Sequence, residues 1–162
     1  MKKILVVDDE LGTRESLDAI FWNTHEVLAA SSATEACEVL KSTQVDLILL
    51  DLILPEKSGM DFLKEVRAIH PDLPVIMVSA VTNTNTMAEA IRLGAVDFIS
   101  KPFDVADVRT IAERALACTD IRRQMEANRR ESILEYPLHN IVGESPSFRT
   151  VMHDARKLAN DD

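Results

Sequence analysis

The chain has 162 residues, 46% of them hydrophobic, and a formal net charge of −9. That length holds one packed domain with an appendage, not two full domains. No stretch reaches the ~20 apolar residues of a membrane span, the acidic start MKKILVVDDE is neither an anchor nor a signal peptide, and the charge opposes non-specific binding to nucleic-acid phosphates. A soluble, cytoplasmic protein without nucleic-acid or membrane contact is expected.

In chain order, ILVV (residues 4–7) reads as a first strand, followed by Asp8, Asp9 and Glu10, and a helical pattern covers residues 13–21. A second strand, HEVLAA (25–30), and a helix over 34–41 come next. LILL (47–50) is apolar at every position, as a central parallel strand covered on both faces must be, and it runs into Asp51. A helix over 59–69, a strand over 74–79 ending in Ser79, a helix over 86–93 with Gly94 as its C-terminal stop, and a strand over 96–100 ending at Lys101 complete the pattern. Strands alternating with helices specify an α/β fold with a parallel sheet. Right-handed crossovers and this size fit the flavodoxin-like order 2-1-3-4-5, helices on both faces, with a ligand crevice at the carboxyl ends of strands 1 and 3.

From Val105 to about Glu135 no strand signal, proline or glycine intervenes, which predicts one long helix. Val108, Ile111, Ala115 and Cys118 keep a 3,4,3-type spacing that Ile121, Met125 and Asn128 extend, and arginines 122, 123, 129 and 130 crowd the polar side. A dimerising helix and a solvated linker are both compatible with this pattern. Pro137 ends the helix, and a last helical pattern covers residues 147–158. Cys37 and Cys118 have no zinc or disulfide spacing and read as helix-packing residues.

The chemistry gathers at the strand ends. Asp8, Asp9 and Asp51 should converge at the switch point, where three carboxylates repel unless a hard divalent cation, Mg²⁺ by preference, sits among them. Such a pocket suits phosphoryl transfer to an aspartate, with Ser79 donating a hydroxyl hydrogen bond and Lys101 an ammonium to the same group. Lys101–Pro102 invites a cis peptide that would aim the lysine inward.

LVVDDE, DLILLDLILPEKSGMDFL, IMVSA and GAVDFISKPF resemble the signature segments of response regulator receiver domains over residues 1–118. The resemblance implies that Asp51 is the phosphoacceptor, with Mg²⁺ held by Asp9, by Asp8 through water, by Asp51 and by the Ile53 carbonyl. Ser79 then stands at the switch hydroxyl, Lys101 at the family's lysine and Phe98 at its aromatic switch position, where core packing is an equal reading. Pro55 and Gly59 match the loop after the acceptor, as backbone devices. The partner implied is a sensor histidine kinase, and a homodimer would form through the fourth helix, fifth strand, fifth helix and linker helix. The chain is then a switch with at most slow self-dephosphorylation, not an enzyme.

The tail LHNIVGESPSFRTVMHDARKLAND resembles the opening of the AAA+ ATPase module in NtrC-type, sigma-54-dependent activators, though it contains no GxxxxGK[ST] motif. The expected organisation is a receiver over 1–118, a linker helix over 119–137 and the first residues of an ATPase over 138–162, with DNA-binding parts beyond it. Two rivals stand beside this: a Mg²⁺-dependent phosphohydrolase, whose usual DxD on the first strand is here Asp8-Asp9-Glu10, and a receiver that signals without phosphorylation.

Overall fold

A computed structural model describes residues 1–81 and 83–134, with side chains described as far as Arg129. Strands β1 (Lys3–Val7), β2 (Glu26–Ala30), β3 (Leu47–Leu50), β4 (Val75–Ser79) and β5 (Asp97–Ser100) alternate with helices α1 (Leu11–Phe21), α2 (Ala33–Ser42), α3 (Gly59–Ile69), α4 (Thr84–Arg92) and α5 (Val105–Leu134). All pairings are parallel and the order is β2-β1-β3-β4-β5, as the sequence pattern predicts. The expectations for Pro137 and for residues 138–162 fall outside the described residues. Met1–Arg123 form one compact unit; the second, Gln124–Asp162, is described only in its helical stretch.

Alternation along the strands sorts the core into two layers. Ile4, Val6, Leu47, Leu49, Ile76, Val78 and Ile99 pack against α1 and α5, whereas Leu5, Val7, Ile48, Leu50, Val75, Met77 and Phe98 pack against α2, α3 and α4. Both faces are therefore covered, which is why the central strands tolerate no polar residue until they end. Helix ends obey local chemistry. Ser32, Ser58 and Asn83 accept backbone N–H bonds at the starts of α2, α3 and α4. At the end of α4, Gly94 (φ 102°) donates to the Ile91 carbonyl and Ala95 to that of Ala90, the Schellman arrangement.

Part of the apolar stripe of helix α5 is used within the domain itself. Val108 and Ala115 are buried in the α1–α5 layer together with Ala112, Leu116 and Thr119, and Ile111 packs against it. The 3,4 spacing there is the face that docks on the domain's own sheet. Along the stripe read from sequence, Cys118, Ile121 and Met125 are exposed, as is Val105 at the start of the helix. Cys118 is thus no packing residue, while Cys37 does pack at the core's margin. Arg122 and Arg123 are not merely solvated: Arg122 pairs with Asp72 and Arg123 with Asp46, and Lys2 pairs with Asp120.

The β3–α3 loop returns tightly to the sheet. Lys57 donates to the Pro55 carbonyl around Glu56, which adopts φ 71°, and the Gly59 amide donates to Leu52 O at 2.8 Å. A Cβ on Gly59 would overlap the Asp51 carbonyl oxygen and lie 2.9 Å from Leu52 Cα, both backbone atoms that cannot swing aside. Gly59→Ala is therefore expected to lower stability by on the order of 3 kcal/mol, because the clash forces a backbone shift rather than a rotamer change. Urea unfolding monitored by circular dichroism checks this; a loss within experimental error would show that the loop relaxes freely.

Candidate functional site

Strand length and register build the site. Val7 pairs with Leu50, so the residues after them, Asp8 and Asp51, leave adjacent strands at the same level, and the Asp51 amide donates to the Val7 carbonyl at 2.8 Å. Ser79 pairs with Ser100, and the Lys101 amide donates to the Ser79 carbonyl at 2.9 Å, which brings Lys101 to the same edge. Oxygens of Asp8, Asp9 and Asp51 lie within 4.8 Å of one another, a ligand set that could hold a metal ion. Asp8 and Asp51 are buried and Asp9 is exposed.

The Lys101 ammonium is the positive charge that this cluster surrounds. Its Nζ donates to Asp51 Oδ2 at 2.6 Å and to Asp8 Oδ2 at 2.7 Å, with Glu10 Oε2 at 3.4 Å. Burial works to lower the lysine pKa, but hydrogen bonds and charge from Asp51 and Asp8 outweigh it and hold the group above the ordinary lysine range. Burial pushes the Asp8 carboxyl up, assisted by the Asp51 charge, against the hydrogen bonds from Lys101 and the Glu10 amide. Glu10 moves down, first through the Thr13 hydroxyl and then through Lys101. An ammonium held by two buried carboxylates shows that the pocket accepts a cation. Its donors are all hard oxygens, the set that suits Mg²⁺ rather than a soft metal.

The structure brings together Asp8, Asp9, Asp51 and Lys101 of the residues singled out from sequence. Ile53 contributes its amide, which donates to Asp51 Oδ1 at 3.2 Å; its side chain is exposed. Ser79 is fully buried at the end of β4, and its hydroxyl accepts from the Val81 amide at 3.2 Å rather than touching the acidic cluster. Phe98 is packed inward, in the α2–α3–α4 layer. Pro55 starts the turn at Glu56, Gly59 lies against the Asp51 and Leu52 backbone, and Lys101–Pro102 is a cis peptide.

Sequence reasoning passed over Arg14. Its Nη1 donates to the Asp8 carbonyl at 2.7 Å and to the Asp9 carbonyl at 2.9 Å. A clue was available: a cation in the fourth position of a helix, where the dipole disfavours it. A cavity of about 510 Å³, lined by Gln44, His70, Asp72 and Arg123 among others, contains none of the acidic cluster.

Residues 4–113 match the response regulator receiver domain family. The chain is 34% identical over 160 residues to the response regulator protein PilR of Pseudomonas aeruginosa, covering 98% of the chain and 34% of that protein. It is 29% identical to the regulatory protein AtoC of Escherichia coli, covering 98% of the chain and 35% of the relative. The chain thus spans about a third of the length of these relatives. Among solved structures it is similar to NtrX from Brucella abortus, with a TM-score of 0.77 at 32% identity over 97% of the chain and 34% of that structure. It is also similar to the receiver domain of NtrX, with a TM-score of 0.68 at 39% identity over 70% of this chain and 98% of that one.

Lys101→Met should destabilise the metal-free protein by about 3 kcal/mol at neutral pH, because two buried carboxylates lose their counter-charge. The deficit should shrink on acidification. Without the ammonium, burial and the Asp51 charge keep the folded-state pKa of Asp8 above its unfolded value. That carboxyl's stabilising contribution is then full below the unfolded pKa and lost as pH rises through the folded one. Urea unfolding of both proteins between about pH 4 and pH 7 tests the sign, since unfolded carboxyls titrate near the lower end; a pH-independent deficit contradicts it.

Proposed function

The chain belongs to the family of response regulator receiver domains, and from that premise we propose that it is a phosphorylation-operated switch whose acceptor is Asp51. The observation that carries the reading is the buried Asp51 carboxylate, paired with Lys101 beside Asp8 and Asp9 at the sheet edge. The donor is the phosphohistidine of a sensor histidine kinase. An Asp51 carboxylate oxygen attacks phosphorus, the bond from phosphorus to the histidine nitrogen breaks, and an aspartyl phosphate remains.

Asp8, Asp9, Asp51 and the Ile53 carbonyl are the groups that would hold Mg²⁺, which supplies charge neutralisation to the phosphoryl oxygens when bound. This chain's own share of the work is distinct. The Ile53 amide orients Asp51 through Oδ1, and Lys101 holds Oδ2 and is placed to track the charge onto the phosphoryl group. The Ser79 hydroxyl accepts from the Val81 amide and so keeps its proton free to donate to a phosphoryl oxygen. Drawing Ser79 toward that oxygen would pull on the β4–α4 connection, and with it the packing around Phe98. None of these steps calls for turnover, so the domain is a switch and not an enzyme.

The output surface in this reading is α4, β5 and α5. Ile91, Val96 and Val105 are each about half exposed there, and Asp97 pairs with Arg114. Exposed apolar side chains of this size at a domain surface suit a second copy of the receiver, with the exposed part of α5 beyond Cys118 extending the contact. The likeness to PilR and AtoC over 98% of the chain supports a place at the front of a sigma-54-dependent activator, with residues 119–137 as linker and 138–162 opening an ATPase module, then a DNA-binding domain, in the cytoplasm.

Incubation with Mg²⁺ and acetyl phosphate should add the mass of one phosphoryl group and change the sedimentation of the protein. Asp51→Asn or chelation of the metal should abolish both effects. Ile91→Arg and Val96→Arg should weaken self-association while labelling continues. A phosphoryl group gained equally by Asp51→Asn would remove Asp51 as acceptor. Rapid multiple turnover of a phosphomonoester would favour the phosphohydrolase instead.

A further inference from the structure

We propose that Arg14 is a positioning residue for the metal-binding edge: its guanidinium clamps the consecutive carbonyls of Asp8 and Asp9 and thereby aims the Asp9 carboxylate into the site. The inference rests on the reading of that edge as a Mg²⁺ site.

Three observations carry it. The Asp8 side chain is fixed on both oxygens, Oδ1 by the Glu10 amide at 2.9 Å and Oδ2 by Lys101, and its amide donates to the Ala30 carbonyl at 3.1 Å. Asp9 has no such support: among the described residues no side chain or amide holds its carboxylate, which is exposed yet lies within the cluster. Its direction is set by its own backbone, and the group that grips that backbone is Arg14, at 2.7 Å and 2.9 Å from the two carbonyl oxygens.

Helix energetics do not explain the arginine. It is the fourth residue of α1, whose first turn carries no acidic residue, so the positive end of the helix dipole opposes a cation there. Side chains on a helix lean toward its N-terminus, which is what lets a half-buried arginine one turn in reach back to the β1–α1 bend. A planar guanidinium holds two neighbouring carbonyls from one nitrogen more rigidly than a flexible ammonium does.

Charge and position make opposite demands, and this makes the inference testable. Removing a positive charge beside three carboxylates should, by Coulomb's law alone, tighten binding of a divalent cation. Loss of the clamp should weaken it, because a freed peptide lets Asp9 swing into solvent. Groups that orient metal ligands typically govern affinity by tenfold or more, so Arg14→Ala and Arg14→Lys should each raise the Mg²⁺ dissociation constant about tenfold.

Calorimetric titration of metal-free wild type and both variants with Mg²⁺ reads this directly. Thermal unfolding without Mg²⁺ controls for folding and should change little for Arg14→Lys. In acetyl phosphate labelling the Mg²⁺ half-saturation should rise while the rate at saturating Mg²⁺ stays near that of wild type. Unchanged affinity in Arg14→Lys, or tighter binding in Arg14→Ala, overturns the proposal and leaves Arg14 acting only through its charge. Wild type failing to bind Mg²⁺ overturns the reading beneath it as well, so the two failures are distinguishable.

Discussion

Everything at this sheet edge depends on one electrostatic constraint: parallel strands of matched register end at the same level, and here two of them end in aspartates. Asp8 and Asp51 have no freedom to separate, because β1 and β3 are hydrogen-bonded through their last residues and both faces are packed with apolar side chains. Like charges so placed would drive one another toward protonation. Lys101, delivered by β5 from across β4, bonds to both and offsets that repulsion. Asp8 and Asp51 thereby share one counter-charge at the sheet edge, each through its Oδ2. The same arrangement ties a sheet-edge side chain to chemistry at Asp51, because Lys101 has to rebalance its contacts whenever the charge there changes.

Local pattern and strand ends made the greater part of the fold and of the site legible in the sequence. Runs such as LILL announce a strand covered on both faces, and crossover handedness and size give the five-strand order. Asp8, Asp51, Ser79 and Lys101 were readable because each stands at the end of a strand. Less was legible where the outcome depends on which of several partners a side chain finds. Ser79 at a strand end reads as a donor for the site, but in this structure its hydroxyl caps the Val81 amide. Phe98 sits in an apolar run, which cannot tell a core residue from a moving one; its packed position is a tertiary fact. Arg14 carries no strand-end signal, since its partners are backbone carbonyls six and five residues earlier.

Helix α5 shows the limit of periodicity most clearly. An apolar stripe at 3,4 spacing states that a face is covered without stating by what. Val108, Ala112, Ala115 and Leu116 are covered by the receiver's own sheet, and the stripe as read from sequence mixes that face with Cys118, Ile121 and Met125, which are exposed. Beyond Thr119 burial gives way to ion pairs, Arg122 with Asp72 and Arg123 with Asp46. Such exposed pairs contribute little individually and are screened by salt. The helix is therefore anchored firmly in its first half and loosely toward Arg123.

That gradient bears on how a charge change at Asp51 could reach a distant output. Rigid, two-sided packing transmits displacement poorly unless an element has two nearly equal resting positions. The candidates for such an element lie along the path from the site: the β4–α4 connection after Ser79, and the first turn of α4, capped by Asn83. α4 has a single buried residue, Ala90, where α3 has five. A helix held by so small a buried face moves at less cost than its neighbours, and it borders β5 and the exposed Ile91 and Val96. In the proposed switch, the thin packing of α4 is thus the structural feature that would let the surface change without disturbing the core.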